Sequence, residues 1–428
     1  MLVYELAKMT SSQRDSVLQR EGVDIDEAIE RARPIVEAVR LQGDKALLKF
    51  ARKYDGFKGQ YLAVPRSDIQ AARARMPKEM LTALQTARKR IESFHTRQIL
   101  RPFEYSDSCG VFGQRVVPLK RVGVYVPGGS ADYVSTVLMA CIPARLAEVD
   151  EIALCTPGRG GKVPDSILVA ADMCGVSEVY CVGGAHSIAA LAYGTKSIRR
   201  VQKIVGPGGA VVAAAKLLVR NECEIDFLAG PSEVLIIADD QADPTLIASD
   251  MLAQLEHDPL ARAVLVAVSP PFVQNVRKEL ELQISTAPRR DIASKSAVKG
   301  AVFLIAPTLA AAVEFSNQYA PEHLLIDVGN PDELLDSIDN AGSVFLGSHS
   351  SVAFGDYCSG TNHILPTKGF ASMKSSLSVY DFLKIIPYQS ISLEGAGRLA
   401  PVVNLLARSE GLPSHADAAT LRSRRTKK

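Results

Sequence analysis

Four of the seven histidines stand in polar, turn-rich clusters, and those clusters are where this chain could do chemistry. His257 closes Gln254-Leu255-Glu256-His257, and His323 closes Ala320-Pro321-Glu322-His323. His363 ends the run that begins Gly355-Asp356-Tyr357, and His415 ends Glu410-Gly411-Leu412-Pro413-Ser414-His415. Each has a carboxylate or an amide close by. Imidazole, carboxylate and amide oxygen suit zinc or a similar borderline metal better than calcium or copper(I). Gln254 and His257 are three apart, so at a helix end they would share one face and could chelate one cation. A histidine there also serves as a partner for the helix dipole. Glu322 beside His323 is a candidate proton-transfer pair, one residue taking a proton and the other supporting it. Spacing alone leaves open whether the four clusters converge.

The elements that must position them are those of an α/β protein. Val234-Leu235-Ile236-Ile237 is a continuous apolar run, the pattern of a strand covered on both faces. A helix follows, with Asp243 as N-cap, Pro244 at its first position and Ile247, Met251 and Leu255 on its apolar stripe, running to Asp258. Strands are expected at 122–126, 152–155, 179–182 and 203–205, each ending in Gly or Pro and alternating with helices at 135–147 and 164–174. Further strands are expected at 263–268, 301–305, 324–328 and 343–345, with a helix over 309–319. Upstream, 24–54 and 77–95 read as helices, and 101–117 as strands.

The expected fold class is therefore α/β, with two Rossmann-like parallel-sheet domains plus small N-terminal and C-terminal segments. The boundaries are a polar arm over 1–20, a first domain from 21–120 with 232–376, a second over 121–231, and a small helical segment over 377–428 with a basic, frayed tail. The glycine loops Gly128-Gly129, Gly183-Gly184 and Gly206 to Gly209 end strands, where α/β sheets bind ligands. None completes G-x-G-x-x-G, so they read equally well as tight turns.

Composition narrows the class. With 47% hydrophobic and 22% charged residues in 428, the chain can build more than one core. A net charge of +2 gives no case for nucleic acid or an anionic membrane. No apolar run reaches the roughly 18 residues of a spanning helix. The start, Met1-Leu2-Val3-Tyr4-Glu5, has no signal-peptide pattern. Seven scattered cysteines without a C-x-x-C pair read as reduced core thiols, so the expectation is a cytoplasmic protein.

The chain resembles the histidinol dehydrogenase family over nearly its whole length. The resemblance is carried by Val124-Tyr125-Val126-Pro127-Gly128-Gly129, Ala192-Tyr193-Gly194-Thr195, Ala229-Gly230-Pro231-Ser232-Glu233 and Gln254-Leu255-Glu256-His257. It continues through Ala320-Pro321-Glu322-His323, Gly355-Asp356-Tyr357, Asn362-His363-Ile364-Leu365-Pro366-Thr367 and Glu410-Gly411-Leu412-x-x-His415. It implies a cytoplasmic enzyme of histidine biosynthesis that oxidises L-histidinol to L-histidine through the aldehyde, with two NAD and one zinc ion per subunit. By position, Gln254, His257, Asp356 and His415 would be the zinc ligands, and the substrate's amine and imidazole would complete the shell. Glu322 and His323 match the acid–base pair. His323 would take the hydroxyl proton, and Glu322 would activate water on the aldehyde. Ser232, His363 and Glu410 match the substrate shell, which His323 and the zinc ligands share. Tyr125, His186 and Gly209 match cofactor contacts. The resemblance also implies a homodimer whose C-terminal segments complete each other's sites.

The sequence departs from the family pattern on the cofactor side. His186 stands where a Gln is usual, and Gly209 where an Asn is usual; Leu255 replaces an Ala between the two proposed ligands of its motif. A paralogue acting on a different amino alcohol or polyol, a zinc hydrolase using Glu322 on a metal-bound water, and a non-catalytic zinc-binding relative are the competing readings. Four protein ligands count against the hydrolase, whose catalytic sites usually keep three.

Overall fold

Runs such as Val234–Ile237 and Val264-Leu265-Val266 put apolar side chains on both faces of a strand, and such strands must be covered on both sides. In the computed structural model they are. The structure describes residues 1–20, 25–128, 131–227 and 230–424. Asp24, Gly129, Ala229 and the basic tail from Arg425 lie outside the described residues. The chain divides into two compact units, 1–98 with 120–381, and 99–119 with 382–428.

The first unit holds two parallel sheets. One has five strands in the order Glu178–Cys181, Glu151–Thr156, Arg121–Tyr125, Lys203–Val205, Glu224–Ile225. The other has six, in the order Leu2–Glu5, Ala301–Ile305, Arg262–Ala267, Glu233–Ala238, His323–Asp327, Ser343–Leu346. All their pairings are parallel. Leaving aside the edge strand Leu2–Glu5, both sheets run third-second-first-fourth-fifth in their own chain order. That is the order of a Rossmann half, with its switch point between the first and fourth strands.

The six-stranded sheet is buried on both faces. Val234, Ile236, Leu265 and Phe303 pack against Met251, Leu255 and Phe272 on one side. Leu235, Ile237, Val264 and Leu304 pack against Phe315 and Tyr319 on the other. Its C-terminal switch point is closed by its own side chains. Asp239 accepts the N–H groups of Gln241 and Gly329, each at 3.0 Å, and the Gln241 amide lies against Gly329.

Three local expectations change. The arm over 1–20 contains the edge strand Leu2–Glu5, paired with Ala301–Ile305, and the helix Ser11–Gln19. The single helix over 24–54 is two, Ile25–Gln42 and Asp44–Tyr54, parted at Gly43, whose φ of 55° suits a residue without Cβ. The segment after 377 is more than helical. In the second unit Leu383–Ile391 pairs antiparallel with Gly110–Pro118, which pairs with Phe103–Asp107. Two helices follow, Leu393–Ser409 and Pro413–Ser423.

Candidate active site

The proposed acid–base pair is made by the meeting of two strand starts. Glu233 opens the first strand of the six-stranded sheet and His323 opens the fourth, next to it in register. One peptide edge then serves both candidates. The Glu233 N–H donates to Glu322 Oε2 at 2.8 Å, and the Glu233 carbonyl accepts from His323 Nδ1 at 3.0 Å. A carbonyl can only accept, so Nδ1 carries a proton, and Nε2 is the nitrogen at which the ring gains or loses one. Nε2 faces Asp356 Oδ1 at 3.4 Å and has no hydrogen-bond partner of its own. Both Glu322 and His323 are buried. Burial pushes Glu322 up to about 8. Burial pulls His323 down, but the Glu322 and Asp356 carboxylates outweigh it and raise it to about 9.

Around this pair the other expected residues gather unevenly. Asp356 sits in the short helix Val352–Tyr357, and its carboxyl is held below the usual range because His323 overcomes the effect of burial. His363 is placed by its Nδ1–H, which donates to the Asp356 carbonyl at 2.6 Å, while its Nε2 meets Thr136 Oγ1 at 3.3 Å. Ser232 is half-buried immediately before the strand start, and its carbonyl accepts from the Arg262 N–H at 3.1 Å. The expected helix carrying Gln254 and His257 stops at Leu255, with Asp243 capping it as anticipated. Gln254 is in its last turn and buried, whereas His257 lies past its end and exposed, within electrostatic reach of Asp356 and His323.

Glu410 and His415 belong to the second unit, Glu410 as C-cap of Leu393–Ser409 and His415 in Pro413–Ser423, both exposed. Among the described residues no three His, Cys, Asp or Glu side chains are gathered to hold a metal ion. Of the four expected ligands, the first unit carries Gln254, His257 and Asp356. Their chemistry, one imidazole, one carboxylate and one amide oxygen, fits zinc with positions left to fill.

Thr136 carries the site toward the other sheet, because the helix Val134–Leu146 follows the strand Arg121–Tyr125. Tyr125 ends that strand at the sheet's switch point, buried, with its hydroxyl accepting from the Gly184 N–H at 3.4 Å. Gly206 follows the neighbouring strand Lys203–Val205. Its φ is 117°, and a Cβ there would meet the Tyr125 carbonyl at 2.0 Å, so only glycine fits. The buried pair Lys216–Asp226 holds this turn from both ends. Asp226 accepts the Gly206 N–H at 2.7 Å, and Lys216 donates to the Gly206 carbonyl at 2.5 Å. Gly183 and Gly209 cap the helices Gly184–Tyr193 and Ala210–Val219 without side-chain capping bonds, and the space beside Gly209 is open. Backbone N–H groups at such helix starts suit a phosphate-bearing cofactor. A cavity of about 340 Å³ lined by Arg31, Tyr54, Gly184, His186 and Val211 lies at both helix starts. The His186 ring is fully buried, and its Nε2–H donates to Asp55 Oδ2 at 2.9 Å. The same oxygen accepts the Gly183 N–H at 2.9 Å, so His186 and Asp55 brace the loop from within.

With this geometry in view, comparison with known proteins is decisive. The histidinol dehydrogenase family profile matches residues 18–423. The chain belongs to the histidinol dehydrogenase family. It is similar to the histidinol dehydrogenase of Methanothermobacter thermautotrophicus at 46% identity, covering 95% of this chain and 96% of that one. To that of Vibrio parahaemolyticus it is 44% identical over 97% and 96%. The crystal structure of histidinol dehydrogenase from Elizabethkingia anophelis superposes with a TM-score of 0.93 at 35% identity, covering 99% of this chain and 98% of that one. Within this histidinol dehydrogenase fold, the sequence gives no role to Glu233 and Asn362, though both stand in its motifs, and no sign of Asp55 or Asp226. Asn362 donates to the Met139 carbonyl at 2.8 Å and meets His95 Nε2 at 3.3 Å, fixing the loop before His363. These four act through backbone groups or from distant segments, which no local spacing reveals.

Proposed function

We propose that this chain oxidises L-histidinol to L-histidine through L-histidinaldehyde, with two NAD and one zinc ion per subunit, closing histidine biosynthesis in the cytoplasm. Membership of the family supports the substrate. The observation that carries the mechanism is the orientation of the His323 ring, with Nδ1–H committed to the Glu233 carbonyl, so that proton exchange falls to Nε2 beside Asp356.

When bound, zinc on Gln254, His257, Asp356 and His415 would orient the alcohol by holding the substrate's amine and imidazole, and NAD at the Tyr125, Gly183–Gly184 and Gly209 edge would accept hydride. His323 Nε2 takes the hydroxyl proton as hydride leaves. Glu322, 3.6 Å from His323 Nδ1, then takes a proton from the water that adds to the aldehyde, and the hydrate loses the second hydride. Ser232 and His363 line the substrate side, and Thr136 keeps the His363 ring turned toward it. His186 acts on the cofactor by holding its loop with Asp55. Glu410, facing the substrate's polar end, and His415 come from a second copy of the chain. Exposed apolar side chains beside them, Val402, Leu405, Leu406 and Leu412, with Leu405 74% exposed, supply a surface that a homodimer would cover. Seven free thiols suit a reducing compartment, and no described helix is long and apolar enough to cross a membrane.

The test is absorbance at the nicotinamide band after mixing zinc-loaded protein, histidinol and NAD. Two NADH per histidinol are expected, with loss of activity after verified chelation. No NADH, with another amino alcohol oxidised or a bond hydrolysed instead, would overturn the assignment.

A further inference from the structure

The peptide edge of Glu233 orients both proposed acid–base residues, so whatever fixes Glu233 fixes their geometry. Its side chain is 2% exposed and is held by a residue from far away in the sequence. Arg20 Nε lies 2.6 Å from Glu233 Oε2, with the arginine side chain 6% exposed. Its guanidinium stacks over the Tyr319 ring at 3.7 Å, and the Tyr319 hydroxyl donates to the same Glu233 oxygen at 3.2 Å. Arg20 Nη2 also donates to the Tyr319 carbonyl and reaches the Ala320 carbonyl at 3.4 Å. One guanidinium therefore holds the carboxylate of the strand start that carries Glu233 and the backbone two residues before Glu322. Planar donors in a fixed fork make this possible, and a point-charge ammonium cannot reproduce it.

Backbone strain falls at both ends of this contact. Arg20 has φ 50° and ψ 103°, and Ala320 has φ 47° and ψ 67°. They are two of four non-glycine residues with positive φ among the described residues. Such conformations persist where the surroundings over-determine them, and they concentrate at functional sites.

We propose that Arg20 is a positioning residue for the Glu322–His323 pair, acting through Glu233 and the Tyr319–Ala320 backbone. Its ion pair and hydrogen bonds are with Glu233, Tyr319 and Ala320, none of them a proposed substrate or cofactor residue. It holds the two segments in the register that lets one peptide edge bind both Glu322 and His323. The proposal rests on the reading of Glu322 and His323 as the acid–base pair.

The experiment compares Arg20→Met, Arg20→Lys and Tyr319→Phe with wild type, and runs Glu322→Gln and His323→Gln beside them. kcat and KM for histidinol, zinc content and melting temperature are measured for each. Arg20→Met should lower kcat by about ten- to a hundred-fold, the scale of a misplacement near 1 Å. KM and zinc content should stay at wild-type values, because Gln254, His257 and Asp356 are not part of the contact. Arg20→Lys should recover part of the loss by keeping the charge opposite Glu233, and Tyr319→Phe should show a smaller drop. Wild-type kcat in Arg20→Met overturns the proposal, and so does a parallel fall of kcat, zinc content and melting temperature, which marks a structural role. If Arg20→Met does not fold, wild-type kcat in both milder variants overturns it equally. Full kcat in Glu322→Gln and His323→Gln would instead remove the acid–base reading, and the positioning role would fall with it.

Discussion

At the scale of single residues, burial separates what Glu322 does from what it could do on a surface. A carboxyl raised to about 8 by burial is a far stronger base than an exposed glutamate, once it has lost its proton. Its Oε2 also accepts the Glu233 N–H, and a glutamine would keep that bond through its own oxygen. On the proposed mechanism, Glu322→Gln removes the base while leaving His323 bonded to the Glu233 carbonyl. Alcohol oxidation, which needs only His323 Nε2, should survive within about ten-fold of wild type. Oxidation of histidinal supplied directly should fall by roughly 10²- to 10⁴-fold, the usual contribution of a general base. Steady-state rates with the two substrates make the comparison, and equal slowing of both would remove the role given to Glu322. The four histidine clusters, the Glu322–His323 pair and the Gln254 to His257 spacing were all visible in sequence because functional side chains cluster in turns. What Glu233 contributes was not visible, because it works through its N–H and carbonyl, which every residue has.

At the scale of elements, the five-stranded sheet is pinned on the edge opposite its glycine loops. Arg121 opens the strand Arg121–Tyr125, and its guanidinium binds the carboxylates that open the next two strands on one side of it, Glu151 at 2.6 Å and Glu178. Arg199 binds Glu151 at 2.8 Å and Glu178 at 3.1 Å from outside. Glu151 is held below the usual carboxylate range by the hydrogen bond from Arg121. Burial raises Glu178, but the bonds from Arg121, Tyr180 and Arg199 outweigh it and lower it too. A depressed carboxylate contributes stability that is complete above its unfolded value, near 4.5, and lost as pH falls through the lower folded value. Arg121→Met should thus cost about 2 kcal/mol at neutral pH, the scale of hydrogen bonds to a charged group, and progressively less below about pH 4. Urea unfolding of both proteins across pH tests this; a loss independent of pH would mean that packing, not charge, holds the edge. Elements with continuous apolar runs or capped stripes were legible, as the match at Lys203–Val205, Ala301–Ile305 and Leu309–Tyr319 shows. Leu383–Ile391 was not, because its side chains are almost all exposed and show no alternation. Leu2–Glu5 is too short to show a period, and it is a strand only because Ala301–Ile305 offers it an edge.

For the whole molecule the question is which chain's second unit serves the proposed site. The first unit carries Gln254, His257, Asp356, Glu322 and His323, and the second carries Glu410 and His415 on exposed helices flanked by exposed leucines. If a two-fold dimer lends each subunit's second unit to the other's site, lesions in different units must complement. His323→Ala kills the site that its own first unit forms. His415→Ala kills the site that its second unit completes in the other subunit. A hybrid of the two then has one site with both lesions and one with neither. At equal mixing half the dimers are hybrids, so about a quarter of wild-type activity should return after subunit exchange. A net charge of +2 gives little self-repulsion to oppose exchange. The measurement is NADH formation after mixing, with heterodimers confirmed by two distinguishable tags. Hybrids that form and stay as inactive as their parents would show that each chain completes its own site. A monomer by light scattering at working concentration would show the same.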